Sequence, residues 1–148
     1  MSRRLLVTIG GLLAAAALSG QDGRFEKTIP FPRNTNAKLD WTYEKCTIRS
    51  VQVRNYPDEE DIEKARNDPD DKSWLWWEFS IDNRGPANIK LKLWVEVLDK
   101  DGKVLKADDR SASVDPFETD EVRVSGRLRT LDAAEAPKVR LRADIIPK

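Results

Sequence analysis

Between Ser73 and Asp99, apolar residues fall on every second position twice in succession. The first series is Leu75, Trp77, Phe79 and Ile81. The second is Ile89, Leu91, Leu93, Val95 and Val97, and Asn83-Arg84-Gly85-Pro86 lies between them. A period of two puts such side chains on one face of a strand, whereas a helix would scatter them around its surface. Two long strands, each with one face against a core, are therefore the least negotiable feature of this chain. Asn83 to Pro86 carries turn chemistry.

The same alternation recurs in weaker form on both sides. Leu39, Trp41 and Tyr43 open a strand from Leu39, and Thr47 to Tyr56 continues in strand with Val51 and Val53 inward. The apolar phase slips between Ile48 and Val51, which predicts a bulge near Arg49-Ser50. Asp99-Lys-Asp-Gly102 reads as a tight hairpin with glycine at a positive-φ position. Val104-Leu105 starts a short returning strand, and Ala112 and Val114 mark another. Val122, Val124, Gly126 and Leu128 alternate next, and Val139, Leu141, Ala143 and Ile145 close the chain. Only the stretch 57–72, PDEEDIEKARNDPDDK, breaks the pattern. Asp58 can cap a helix whose first turn holds Glu59, Glu60 and Asp61, favourable at the positive end of its dipole, and Pro69 ends it. The expected fold is all-β: an antiparallel two-sheet β-sandwich of about seven strands, with one short helix near 58–67, which the resemblance given below implies is immunoglobulin-like. Residues 39–148 form that domain, and the polar residues 21–38 read as an irregular arm whose apolar beads Phe25, Ile29 and Phe31 dock on it.

The N-terminal twenty residues have the layout of a cleavable signal peptide. Arg3 and Arg4 form a positive start, Leu5 to Leu18 an apolar run, and Ser19 and Gly20 a small-residue end. The run is shorter than the roughly 20 residues of a membrane span, so no stable span is expected after cleavage. Cleavage follows Ser19 or Gly20. The adjacent arginines resemble a twin-arginine signal, but an ordinary basic start is the favoured reading, since almost nothing precedes the pair. Leu18-Ser19-Gly20 resembles a lipobox, but Gln21 stands where the lipid-bearing cysteine would be, so a periplasmic or secreted protein without a lipid is expected.

Composition excludes several chemistries. The chain of 148 residues contains no histidine and one cysteine. That removes the commonest general base and metal ligand, every CxxC motif and any internal disulfide. Cys46 reads as a small buried apolar residue. The 26 basic and 26 acidic residues balance. Loss of the first twenty removes two arginines and no acid, leaving 24 against 26. Such a balance gives no general attraction to nucleic acid. Nothing matches a nucleophile elbow or a P-loop, so neither a catalytic set nor a cofactor is expected.

From about Trp74 onward the order of features resembles the FxLYD-type immunoglobulin-like domains of bacterial exported proteins. The carrying residues are Phe79-Ser-Ile-Asp-Asn83, the Asn83-x-Gly85 turn, the strand into Val97-Leu98-Asp99 before Lys100-Asp101-Gly102-Lys103-Val104-Leu105, and Val114-Asp-Pro-Phe-Glu118. The namesake stretch here is Val95-Glu-Val-Leu-Asp99, which keeps only the aspartate. The resemblance spans about half the chain. It implies a fold and an envelope setting and carries no site residues across.

Two surfaces are candidates for binding. Trp74 and Trp76 lie on the face opposite Trp77, about 7 Å apart along the strand, where flat indoles can stack on sugar rings or anchor a protein. Trp94 is likewise out of phase with its strand's core face. It falls beside Trp76 if the two strands pair, and on the far side if they lie in opposite sheets. Since exposed indoles are costly, the expectation is that the arm (Phe25, Ile29, Phe31) or Ile62 of the helical loop covers the pair. The second surface is basic: Lys90 and Lys92, then Arg123, Arg127 and Arg129, then Arg140 and Arg142. In an immunoglobulin-like sandwich these strands share one sheet, and their outward side chains are expected to form one cationic face for an anionic partner, diluted by Glu96, Glu121 and Asp144. A solvated face with cross-strand ion pairs is the plainer reading. A third cluster, Asp58, Glu59, Glu60, Asp61, Glu63, Asp68, Asp70 and Asp71, lacks the order and glycine of a calcium loop and reads as solvated charge rather than a metal site. The expected function is a non-catalytic interaction module of the cell envelope or secreted space. It binds a protein, or alternatively a carbohydrate or other polyanion.

Overall fold

The computed structural model describes residues 22–147. The signal pattern, its cleavage positions and Gln21 lie outside the described residues. Eight strands run antiparallel in two sheets: β1 (Arg24–Pro30), β2 (Asn36–Tyr43), β3 (Cys46–Arg54), β4 (Lys72–Asn83), β5 (Ile89–Leu98), β6 (Val104–Val114), β7 (Thr119–Arg129) and β8 (Lys138–Pro147). One sheet has the order β1-β8-β5-β6 and the other β2-β3-β4-β7. The core fills the space between them. The inward series of β4 (Leu75, Trp77, Phe79, Ile81) faces that of β5 (Ile89, Leu91, Leu93, Val95, Val97), and all nine are buried. The sandwich and its long strands follow the alternation of the sequence.

Helix α1 (Glu59–Asn67) lies between β3 and β4. The Asp58 side chain accepts from Asp61 N at 2.8 Å, and Asp61 Oδ2 accepts from Asp58 N at 3.2 Å, closing a capping box. The phase slip in β3 is a register shift between Ile48 and Ser50, at the expected bulge.

Three features differ from the sequence reading. The arm is not irregular, because residues 24–30 form edge strand β1 along Lys138 to Asp144 of β8. Only Phe25 and Ile29 of β1 are buried, with Lys27 exposed between them, so the alternation was masked. Pro30 closes the strand at an edge, where proline is tolerated. Phe25 stacks on Trp41 (5.5 Å, 13°) inside the core rather than over the outer indoles. Second, Val104–Val114 is one strand, not two pieces, and with β1 added the described residues hold eight strands. Its middle, Lys106 to Ser111, is polar because an edge strand needs no apolar series when the β5 backbone holds it. Third, a second short helix, α2 (Thr130–Glu135), joins β7 to β8. Arg33 pins it by donating to the carbonyls of Ala133 (3.0 Å) and Ala136 (2.7 Å) and to Tyr56 Oη (2.8 Å).

Candidate functional site

The end of β4, the Asn83–Gly85 turn and the segment from Val114 to Glu118 meet at one corner of the sandwich. Asn83 is 1% exposed. Its Nδ2 donates to the carbonyls of Ala87 (2.9 Å), Val114 (3.2 Å) and Asp115 (3.0 Å). Its Oδ1 accepts from Gly85 N at 3.1 Å. Phe117 N then donates to Gly85 O at 3.2 Å. The corner ties the β4–β5 loop to the β6–β7 loop and carries no reactive group. At its tip Phe117, at φ 60°, is 72% exposed, and no alternation in the sequence singles it out.

The tryptophans sit elsewhere. Trp74 and Trp76 project from the outer face of β4, near its start, and Trp74 is 51% exposed while Trp76 is half-buried. Trp74 lies opposite Arg127 of β7, Trp76 lies between Arg54 of β3 and Ser125 of β7, and Glu78 lies opposite Arg123. The expectation that the arm or Ile62 covers the indoles is therefore corrected: guanidinium groups from the neighbouring strand lie over them. The Arg123 guanidinium is 4.3 Å from the Trp76 ring centroid, and that of Arg127 is 5.9 Å from Trp74. Both are cation–π contacts. Asn55 Nδ2 donates to Trp74 O at 3.0 Å, holding the β3 end against this row.

Beneath the guanidiniums lies Glu78. It is 8% exposed although it points away from the core. Arg54 Nε donates to its Oε1 and Arg123 Nη2 to its Oε2, each at 2.8 Å. These two bonds hold the Glu78 carboxyl below the usual carboxylate range, against the opposing effect of burial. Arg110 Nη1 in turn donates to the Arg123 carbonyl at 2.9 Å, closing the β6–β7 side of the sandwich. Charge-assisted pairs of this kind are the stronger hydrogen bonds, and they fix two side chains that would otherwise sample many rotamers.

Trp94 lies in the opposite sheet, on the far side of the molecule. Arg142 (4.8 Å) and Lys92 (5.3 Å) approach its ring, so it too is flanked by cations. The single basic face does not exist. Lys90, Lys92, Arg140 and Arg142 belong to the β5–β8 sheet, and Arg123, Arg127 and Arg129 to the β4–β7 sheet. After β6 the chain crosses to the other sheet to pair with β4, a step that strand alternation does not encode. On the β5–β8 face the cations are largely neutralised: Arg140 pairs with Glu96 (2.8 Å), Arg142 with Glu26 (3.5 Å) and Lys92 with Asp109 (4.0 Å). On the other face Arg129 pairs with Asp132 at 3.0 Å, and Arg127 enters no ion pair among the described residues.

Among the described residues, no three or more His, Cys, Asp or Glu side chains are placed to hold a metal. A groove of about 450 Å³ is lined by Asp99, Asp101, Asp132 and Glu135. Asp99 Oδ1 is already occupied by the N–H groups of Asp101 (2.8 Å) and Lys103 (2.9 Å), the hairpin role assigned to it above. Cys46 is buried, and burial, with Asp82 nearby, pushes its thiol up to about 11. No helix among the described residues is long and apolar enough to cross a membrane.

No protein-family model matches this chain, and no curated protein matches it. Solved structures are similar only distantly. The uncharacterised lipoprotein yajI from Escherichia coli is 15% identical over 95% of this chain and 77% of its own, with a TM-score of 0.42. A DUF1425 family member from Shewanella sp. pv-4 is 11% identical over 74% and 84%, with a TM-score of 0.40. A β-glucuronidase from glycoside hydrolase family 2 is 14% identical over 54% of this chain, with a TM-score of 0.40, and the chain spans 7% of that protein's length. At this level of likeness they assign neither a family nor an activity.

Proposed function

We propose that this chain is a non-catalytic interaction module that works outside the cytoplasm and docks a protein partner through the outer face of β3, β4 and β7. The observation that carries the reading is Trp74, half exposed on β4 beside the Arg127 guanidinium, which enters no ion pair among the described residues. Trp and Arg dominate binding hot spots because each buries a large area and still offers directional polar contacts. A protein fits this face better than a glycan. Sugar rings need free indole planes, and Arg123 already occupies the ring of Trp76. The absence of histidine from the whole sequence, and an Asp99 carboxylate committed to a hairpin, support a module without catalysis.

Export rests on the Arg3-Arg4 start and the Leu5–Leu18 run, and Gln21 supports a mature chain without a lipid. The Asn83 corner, which gathers three of the resembling segments, supports an FxLYD-type immunoglobulin-like domain. Photo-crosslinking tests the docking reading. A benzophenone amino acid replacing Trp74 in the producing cell is expected to capture a discrete protein, and the same probe replacing Thr28 on β1 is not. Equal capture at both positions, or a glycan as the captured species, refutes it.

A further inference from the structure

We propose that the partner's docking segment is acidic, an extended stretch with carboxylates four residues apart that are received by Arg127 and by the Arg54–Arg123 pair. This rests on the docking reading above and names the chemistry of its ligand. Three observations carry it.

The first is an excess of positive charge in this patch. Three guanidiniums, Arg54, Arg123 and Arg127, surround the two indoles, and among the described residues the carboxylate bonded to them is Glu78, with Glu121 acting on Arg54 from the side. Glu121, one outward position further along β7, bounds the patch on that side. The cations at Trp94, Lys92 and Arg142, are each matched by an acid, whereas among the described residues Arg127 has none.

The second is donor supply. A guanidinium has five N–H groups in a fixed fork. Among the described residues, Arg54 spends one on Glu78 and Arg123 spends one, and the Arg127 side chain donates none. Glu78 fixes the first two guanidiniums before any ligand arrives, so little side-chain entropy remains to be lost on binding.

The third is geometry. Arg127 and Arg123 lie four residues apart on β7, a separation of about 13 Å at the rise of a strand. The Trp76–Ser125 pair lies between them. An extended partner with carboxylates at the same interval sets both acids on guanidiniums, with an apolar residue between them against the indoles. A free phosphate or a uniformly charged chain leaves Trp74 uncovered, which is why a mixed acidic and apolar protein segment fits best. Charge complementarity of this kind mainly speeds association and selects partners, and it weakens with salt.

The test uses the full chain and three synthetic twelve-residue peptides, read by tryptophan fluorescence and calorimetry. One carries Glu at every fourth position with Leu between, the second has Gln for each Glu, and the third Lys. The Glu peptide is expected to bind at least tenfold more tightly than the Gln peptide, and to lose most of that advantage at roughly 0.3 M salt. Arg127→Gln breaks no ion pair, so the melting temperature stays constant while the Glu preference shrinks severalfold. Equal binding of the Glu and Gln peptides through Trp74 overturns the acidic partner and leaves protein docking standing. Preference for the Lys peptide overturns it as well. Binding of polygalacturonate in preference to all three peptides, or no effect of Trp74→Ala on any of them, overturns the docking reading itself.

Discussion

Replacing Asn83 by alanine removes the side chain that ties two loops to the end of β4. Its amide has two hydrogens, so three acceptors (Ala87 O, Val114 O and Asp115 O) share two full bonds, and Oδ1 supplies a third with Gly85 N. At a net worth of about 1 kcal/mol each, Asn83→Ala costs about 3 kcal/mol, because the carbonyls stay buried with no new donor. For a domain of this size that lowers Tm by about 10 °C. Asn83→Asp is the sharper test. It keeps size and shape but sets a carboxylate oxygen against three carbonyls, so the folded state binds a proton more tightly than the unfolded chain does. A group whose folded pKa is raised loses stability as pH rises through that window. Relative to wild type, Asn83→Asp therefore recovers part of its loss on acidification from pH 7 to about pH 4. The assay is thermal unfolding by circular dichroism at both pH values. A Tm change under about 3 °C for Asn83→Ala, which is the scale of one hydrogen bond, or no acid recovery for Asn83→Asp, refutes the bonding account of this corner.

Four further outcomes follow from the same structure. Asp108 packs on Gly126 where the sheet edges β6 and β7 meet, and desolvation raises its pKa despite Lys106 at 3.6 Å. Asp108→Asn is thus expected to raise Tm at pH 7 and to have no effect near pH 3, below both its folded and unfolded values. A Cβ at Gly126 would meet that same carboxylate, so Gly126→Ala lowers stability by about 1 kcal/mol, and a second change, Asp108→Ala, restores it in a double-mutant cycle. Glu78, with its pKa lowered by two arginines, stabilises the fold above the unfolded value near 4.3, and that contribution disappears as pH falls through the folded value. Glu78→Gln therefore loses stability at pH 7 and converges on wild type in acid, as followed by urea unfolding. Cys46, with its thiol at about 11, is expected to resist maleimide at pH 7.5 in the native protein and to react at once in denaturant.

How far the sequence reached is clearest from particular elements. In β4 and β5 every second residue is apolar, and burial of one strand face is enough to demand that order, so strand, core list and sandwich all followed from periodicity. The capping box of α1 was equally local: Asp58 and Asp61 satisfy each other three residues apart. The outward position of Trp74 and Trp76 was fixed by phase alone. What covers them was not, because the answer lies in the register of β4 against β7, which sets Arg127 beside Trp74 and Arg123 beside Glu78. Strand β1 escaped because its backbone is held by β8, more than a hundred residues away, and Lys27 interrupts its inward series. The same ignorance of partners merged two half-faces of cations into one, since residues 115–118 carry the chain to the other sheet without altering any local pattern. Alternation is a property of each strand and its solvent, which the sequence by itself determines. Neighbours, and therefore ion pairs, cation–π contacts and charged patches, are decided by which backbone edges meet, and only the tertiary structure contains that.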